Sequence, residues 1–141
     1  IDDGSFAFTR LSRLEEWERQ KGFAFENLIV NHYVELLPHL HLEDSLVYSA
    51  APYRKRGSRG AGYQIDLLLQ TKRSQYVVEI KRQGKIKKGV IDEVASKVSK
   101  LKRAEGCAVR AALVYDGELA ETIPADGYFD AIVSFRRLLG I

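Results

Sequence analysis

Two apolar runs, Ile65-Asp66-Leu67-Leu68-Leu69-Gln70 and Tyr76-Val77-Val78-Glu79-Ile80-Lys81, constrain the fold more than any other part of the sequence. Both are short and rich in branched or aromatic side chains, as buried strands are. Between them, Thr71-Lys72-Arg73-Ser74 is short and polar enough for a hairpin turn. Pairing Gln70 with Gln75 brings Leu68 opposite Val77 and Asp66 opposite Glu79. Two carboxylates facing each other across antiparallel strands repel, so the pair calls for a cation between them. Glu79 and Lys81 are two residues apart and share a strand face. That face then holds Asp66, Glu79 and Lys81, the makeup of a metal site with a charged helper.

The rest of the chain supplies helices to cover such a sheet. Ser12 to Leu37 has helical periodicity, with Gly22 a candidate break and Pro38 a stop. Ser45 to Tyr53 alternates as a strand. Ile86 to Ala104 carries Ile86, Val90, Val94, Val98 and Leu101 on one stripe, with Lys87, Lys97, Lys100 and Arg103 largely away from it. Asp92-Glu93 reads as first-turn acid complementing the helix dipole. Val109 to Tyr115 is apolar enough for a buried, parallel strand, after which Asp116-Gly117 turns the chain. Ala131 to Ser134 is a last strand and Phe135 to Leu139 a closing helix. The expected class is α/β: an α-β-β-β-α-β core, a mixed sheet flanked by helices.

A length of 141 residues suits one domain with its own core. Residues 1–20 are expected to be an extension or the remnant of an upstream domain, and 21–141 the domain itself. The chain starts at Ile1 and has no methionine, which suggests a piece of a longer protein. No apolar run is long enough to cross a bilayer, and no membrane partner is expected. The single cysteine, Cys107, makes no internal disulfide, so a reducing, cytoplasmic setting is expected. It reads as a small buried hydrophobe.

A formal charge of +3 favours polyanions only mildly, and the distribution says more. Arg54, Lys55, Arg56 and Arg59 combine with three glycines before the first run, and Lys81, Arg82, Lys85, Lys87 and Lys88 begin at the end of the second. A basic rim around an acidic centre suits a phosphate backbone and a metal. Each stretch alone reads equally well as a solvated loop or a solvated helix start. Glu26 borders the apolar side of the first helix, beside Phe23, Ile29, Val30 and Tyr33. It therefore needs a partner, structural or metallic. His32, His39 and His41 form no ligand spacing. Gly57 to Gly62 lacks the Gly-Lys-Ser/Thr of a nucleotide loop.

Taken in order, Glu26 on a helix, Asp66 in one strand and Glu79-Ile80-Lys81 in the next resemble the PD-(D/E)xK nuclease superfamily. More narrowly, Lys21 to Leu28, Gly62 to Leu68 and Val78 to Lys81 look like the C-terminal nuclease-like domain of prokaryotic AAA/STAND-type ATPases. The likeness runs from about residue 20 to the end. One departure is Ile65, which stands where proline commonly precedes the aspartate. The resemblance implies a restriction-endonuclease-like core and metal-dependent hydrolysis of phosphodiester bonds, in DNA over RNA. Asp66, Glu79 and the Ile80 carbonyl would bind Mg²⁺ or Mn²⁺, with Glu26 ligating directly or through water. Lys81 would orient the attacking water. The Arg54–Gly62 loop and Arg82, Lys85, Lys87 and Lys88 would contact nucleic acid. The resemblance also implies an ATPase domain upstream in the same polypeptide, and it allows a homo-oligomer. The alternative is a catalytically weak nuclease fold serving as a DNA- or protein-binding module.

Overall fold

A computed structural model describes residues 11–57 and 62–140, with side chains from residue 19 onward apart from that of residue 45. It shows an α/β chain with a five-stranded mixed sheet. The strands are β1 (Val47–Lys55), β2 (Tyr63–Thr71), β3 (Ser74–Ile86), β4 (Ala108–Leu119) and β5 (Ala131–Ser134), side by side in that order. β1, β2 and β3 run antiparallel in turn, while β3, β4 and β5 are parallel. The helices are α1 (Leu11–Asn31), α2 (Tyr33–Leu36), α3 (Gly89–Lys100), α4 (Thr122–Asp126) and α5 (Phe135–Leu138). Among the described residues, no helix is long and apolar enough to cross a membrane.

Each face of the sheet has its own apolar core. On one, Phe25 and Ile29 of α1 and Leu36 of α2 pack on Leu67, Leu69, Val78 and Ile80. On the other, Val90, Ile91 and Val94 of α3 pack on Ile65, Leu68, Val77 and Leu113. The spacing explains both sides: Phe25 and Ile29 lie one turn apart on α1, as do Val90 and Val94 on α3. Cys107 is buried, as its apolar surroundings suggest.

Local signals fail in three places, each for a tertiary reason. Gly22 lies inside α1, which continues to Asn31. A glycine there costs about 1 kcal/mol against alanine, too little to break a helix anchored by buried side chains further along. Ile86 ends β3 instead of opening α3, because β4 claims its backbone: Ile86 pairs with Leu119 and its carbonyl accepts from Ala120 N–H at 3.0 Å. The basic stretch from Lys81 is therefore largely the end of a strand, not a helix start. Asp116-Gly117 does not turn the chain either. β4 runs on to Leu119, and Gly117 sits at an irregularity where β3 carries one residue more than β4 between the pairs Arg82–Asp116 and Lys85–Glu118.

Gly117 has φ +137°, and a Cβ there would collide with the Gln83 carbonyl. Gly117→Ala is therefore expected to destabilise the fold by about 2 kcal/mol, read by urea denaturation. A change below about 0.5 kcal/mol would mean that the strand end relaxes freely.

The β2–β3 register follows the sequence reading from Gln70–Gln75 through Leu68–Val77 to Leu67–Val78. One step later it changes. Between the pairs Ala51–Leu68 and Tyr53–Ile65, β1 has only Pro52 where β2 has Asp66 and Leu67. This is a bulge, and it sits opposite a proline that has no N–H to offer the ladder. Its effect is visible in packing: Ile65 and Leu67, two apart in a strand, lie in the cores of opposite faces. The residue between them is Asp66.

Candidate functional site

The bulge turns Asp66 out of the regular alternation, and its carboxylate meets β3 directly. Asp66 Oδ2 accepts from Ile80 N–H at 2.9 Å, where a regular ladder would have set Asp66 squarely opposite Glu79. The described ladder ends at Leu67–Val78. Expected as a directly opposed pair, the two carboxylates are brought together more obliquely, at the point where the strand pairing stops. Glu26, from α1, comes close enough to Asp66 to raise its carboxyl's hold on the proton. Three elements, α1, β2 and β3, thus each deliver one carboxyl.

Burial controls the electrostatics. Loss of hydration is the largest influence on Asp66 and pushes its carboxyl up to about 7; Glu26 adds to the rise, against the Ile80 N–H and Lys97. Glu79 is only 2% exposed, and burial followed by the Asp66 charge raises it to about 7 as well, even with Lys97 and Lys81 beside it. Two acids this poorly solvated favour any cation that can reach both.

Two lysines reach Glu79. Lys81 Nζ, on the same strand face, is 3.4 Å from Glu79 Oε2 and 3.0 Å from Glu93 Oε2. Burial pulls the Lys81 ammonium down, but Glu93 and Glu79 outweigh it and hold it above its usual range. Lys97 Nζ, from α3, is 2.9 Å from Glu79 Oε1 and 4.0 Å from Glu93 Oε2. Burial works upward on Glu93, yet Lys81 and its neighbours bring it below its ordinary value.

Glu93 and Lys97 were missed in the sequence. Glu93 does more than complement a dipole, since it fixes Lys81. Lys97 is a largely buried part of the cluster, with its side chain 16% exposed. The available signal was their four-residue spacing on α3. That spacing recurs on many solvated helices and does not reveal which strand lies beneath.

Among the described residues, no three His, Cys, Asp or Glu side chains stand arranged to hold a metal ion. At Glu79 an ammonium group lies against one carboxylate oxygen and a second lies near the other. The donor chemistry nevertheless fits a hard divalent ion. Asp66 and Glu79 are oxygen donors with raised proton affinity, and Ile80 adds a neighbouring carbonyl.

A cleft of about 300 Å³ opens beside the cluster, lined by Arg19, Phe23, Glu26, Ile80, Lys81 and Arg82. Elsewhere on the rim, Arg54 Nη2 donates to Gln64 Oε1 at 2.7 Å, and Lys55 and Arg56 are exposed. Arg82 pairs with Asp116 at 3.5 Å, Lys85 with Glu118 at 4.0 Å and Lys88 with Asp126 at 4.0 Å. Lys87 is exposed, and Arg59 lies outside the described residues. No family model, curated protein or solved structure matches the chain.

Proposed function

We propose that this chain is a metal-dependent nuclease-type domain of the PD-(D/E)xK kind, hydrolysing phosphodiester bonds in DNA more readily than in RNA. The observation that carries this reading is the meeting of Glu26, Asp66 and Glu79 at the bulge where β2 and β3 part, with Lys81 beside them. The finer reading of the fold as restriction-endonuclease-like belongs to the same proposal, supported by the order α1, β1, β2, β3, α3, β4. So does attachment to a nucleotide-driven ATPase of the AAA/STAND type, which rests on the sequence resemblance.

Asp66, Glu79 and the Ile80 carbonyl would hold Mg²⁺ or Mn²⁺, and Glu26 would complete the set directly or through water. Such an ion supplies Lewis-acid polarisation of the phosphodiester and a more acidic water. The protein groups do the positioning. Ile80 N–H holds Asp66 in place. Glu93 holds the Lys81 ammonium, which orients the attacking water or offsets charge developing on phosphorus. Exposed pairs such as Lys85–Glu118 and Lys88–Asp126 are worth little in water, so these cations can exchange partners for backbone phosphates. Such contacts position the duplex without reading sequence.

One observation favours a second reading, a nuclease fold kept as a DNA- or protein-binding module. Glu79 already has a largely buried counter-ion in Lys97, so it has a charge partner without metal.

Incubation with supercoiled plasmid separates the two readings. The nuclease reading expects nicking with Mn²⁺ and none with EDTA. Plasmid retention without nicking, at any divalent concentration, would support the binding module.

A further inference from the structure

The side chain least expected in this cluster is Lys97. It reaches down from α3 to a carboxylate that is 2% exposed, and its ammonium stops 2.9 Å from Glu79 Oε1. A buried carboxylate needs a counter-charge, and the two available lysines differ. Lys81 is on β3 itself and is gripped by Glu93 at 3.0 Å. Lys97 hangs from a helix on a flexible four-carbon stem, with a second acceptor, Glu93 Oε2, 4.0 Å away and one turn back on α3. The field of Lys97 also reaches Asp66. It therefore acts on both proposed metal carboxylates.

We propose that Lys97 is the site's resident counter-cation, and that a divalent ion binds by displacing its ammonium from Glu79 toward Glu93. This rests on the metal-site reading above and adds a residue and an exchange step to it. A divalent ion on Glu79 Oε1 and an ammonium 2.9 Å from the same oxygen would repel strongly, so the two exclude each other. Metal binding then becomes a competition with an intramolecular ligand, whose local concentration is fixed by the fold. Without metal, Glu79 keeps a counter-charge in Lys97, at the cost of a weaker metal site.

Mn²⁺ binding to the 141-residue chain, followed by electron paramagnetic resonance of the free ion at pH 8, tests this without recourse to activity. Lys97→Gln is expected to bind Mn²⁺ about tenfold more tightly than wild type, since no cation must be moved. Lys97→Arg, which keeps a permanent charge on Glu79, is expected to bind no more tightly than wild type. Equal or weaker binding by folded Lys97→Gln, with wild-type binding lost in Asp66→Asn, would overturn the proposal while leaving the metal site intact. Absence of Asp66-dependent binding in wild type and Lys97→Gln alike would remove the metal reading and the proposal together.

Lys97→Gln leaves Glu79 short of a partner and can fail to fold. Wild-type protein supplies a second measurement, the ¹⁵Nζ signals of lysine ammonium groups during a Mg²⁺ titration. The Lys97 signal should move and saturate with the ion. An unmoved Lys97 signal at saturation would overturn the displacement.

Discussion

On the nuclease reading we propose, Asp66→Asn is expected to slow Mn²⁺-dependent plasmid nicking about a thousandfold while leaving the fold intact. The substitution is nearly isosteric, and its amide oxygen can still accept from Ile80 N–H, the bond that Asp66 Oδ2 makes at 2.9 Å. What disappears is one negative charge at the meeting point of Glu26, Asp66 and Glu79. Without it, Glu79 is already balanced by Lys97 at 2.9 Å and Lys81 at 3.4 Å, and little attraction for a divalent ion remains. A measurable loss that stays smaller than about tenfold, with circular dichroism unchanged, would show that Asp66 is not a ligand. Equal nicking by variant and wild type would point to a contaminating nuclease.

The second large effect concerns stability against pH. Asp66 rises from 3.8 to about 7 on folding and Glu79 from 4.5 to about 7. For an acid whose proton is held more tightly in the folded state, rising pH strips the unfolded chain first, and stability falls. The contribution is complete below about pH 4, declines between about 4 and 7, and is gone above the folded values. In EDTA the protein is thus expected to lose roughly 2–4 kcal/mol between pH 5 and pH 8. The figure stays below that for two independent acids because the two share one field and two lysines. Asp66→Asn should show a clearly smaller loss, which separates this pair from the surface charges. Mn²⁺ at pH 8 should restore stability to wild type by binding the folded form. Urea denaturation at the two pH values reads all three, and stability that is flat or rising from pH 5 to pH 8 would refute the burial argument.

The sheet was readable where hydrophobic period and turn length act alone. The Thr71–Ser74 turn and the apolar runs around it fix the β2–β3 register from Gln70–Gln75 to Leu67–Val78. The α3 stripe of Val90 and Val94 does face the core. Failures came where a distant strand decides. Ile86 continues the α3 stripe perfectly, yet β4 takes its backbone. Asp116-Gly117 has turn chemistry, but the strand irregularity at Gln83 uses the glycine instead.

The site divides along the same line. Glu79 and Lys81 were legible as neighbours because strand alternation puts them on one face, where Lys81 Nζ lies 3.4 Å from Glu79 Oε2. The bulge that tips Asp66 toward Ile80 was not legible, since its cause is a proline on the neighbouring strand. Lys97 and Glu93 were hidden for the converse reason: on an isolated helix they read as a solvent-facing pair, and only the crossover from β3 to β4 lays them over Glu79.

The claim beneath all of this is that Asp66 and Glu79 share a divalent ion. A Mn²⁺-soaked crystal at pH 8, with anomalous difference density collected at the manganese edge, addresses it directly. The expected result is a peak within bonding distance of both carboxylates and the Ile80 carbonyl, with the Lys97 ammonium moved off Glu79. A map with manganese only elsewhere, and Lys97 still seated 2.9 Å from Glu79 Oε1, would contradict it.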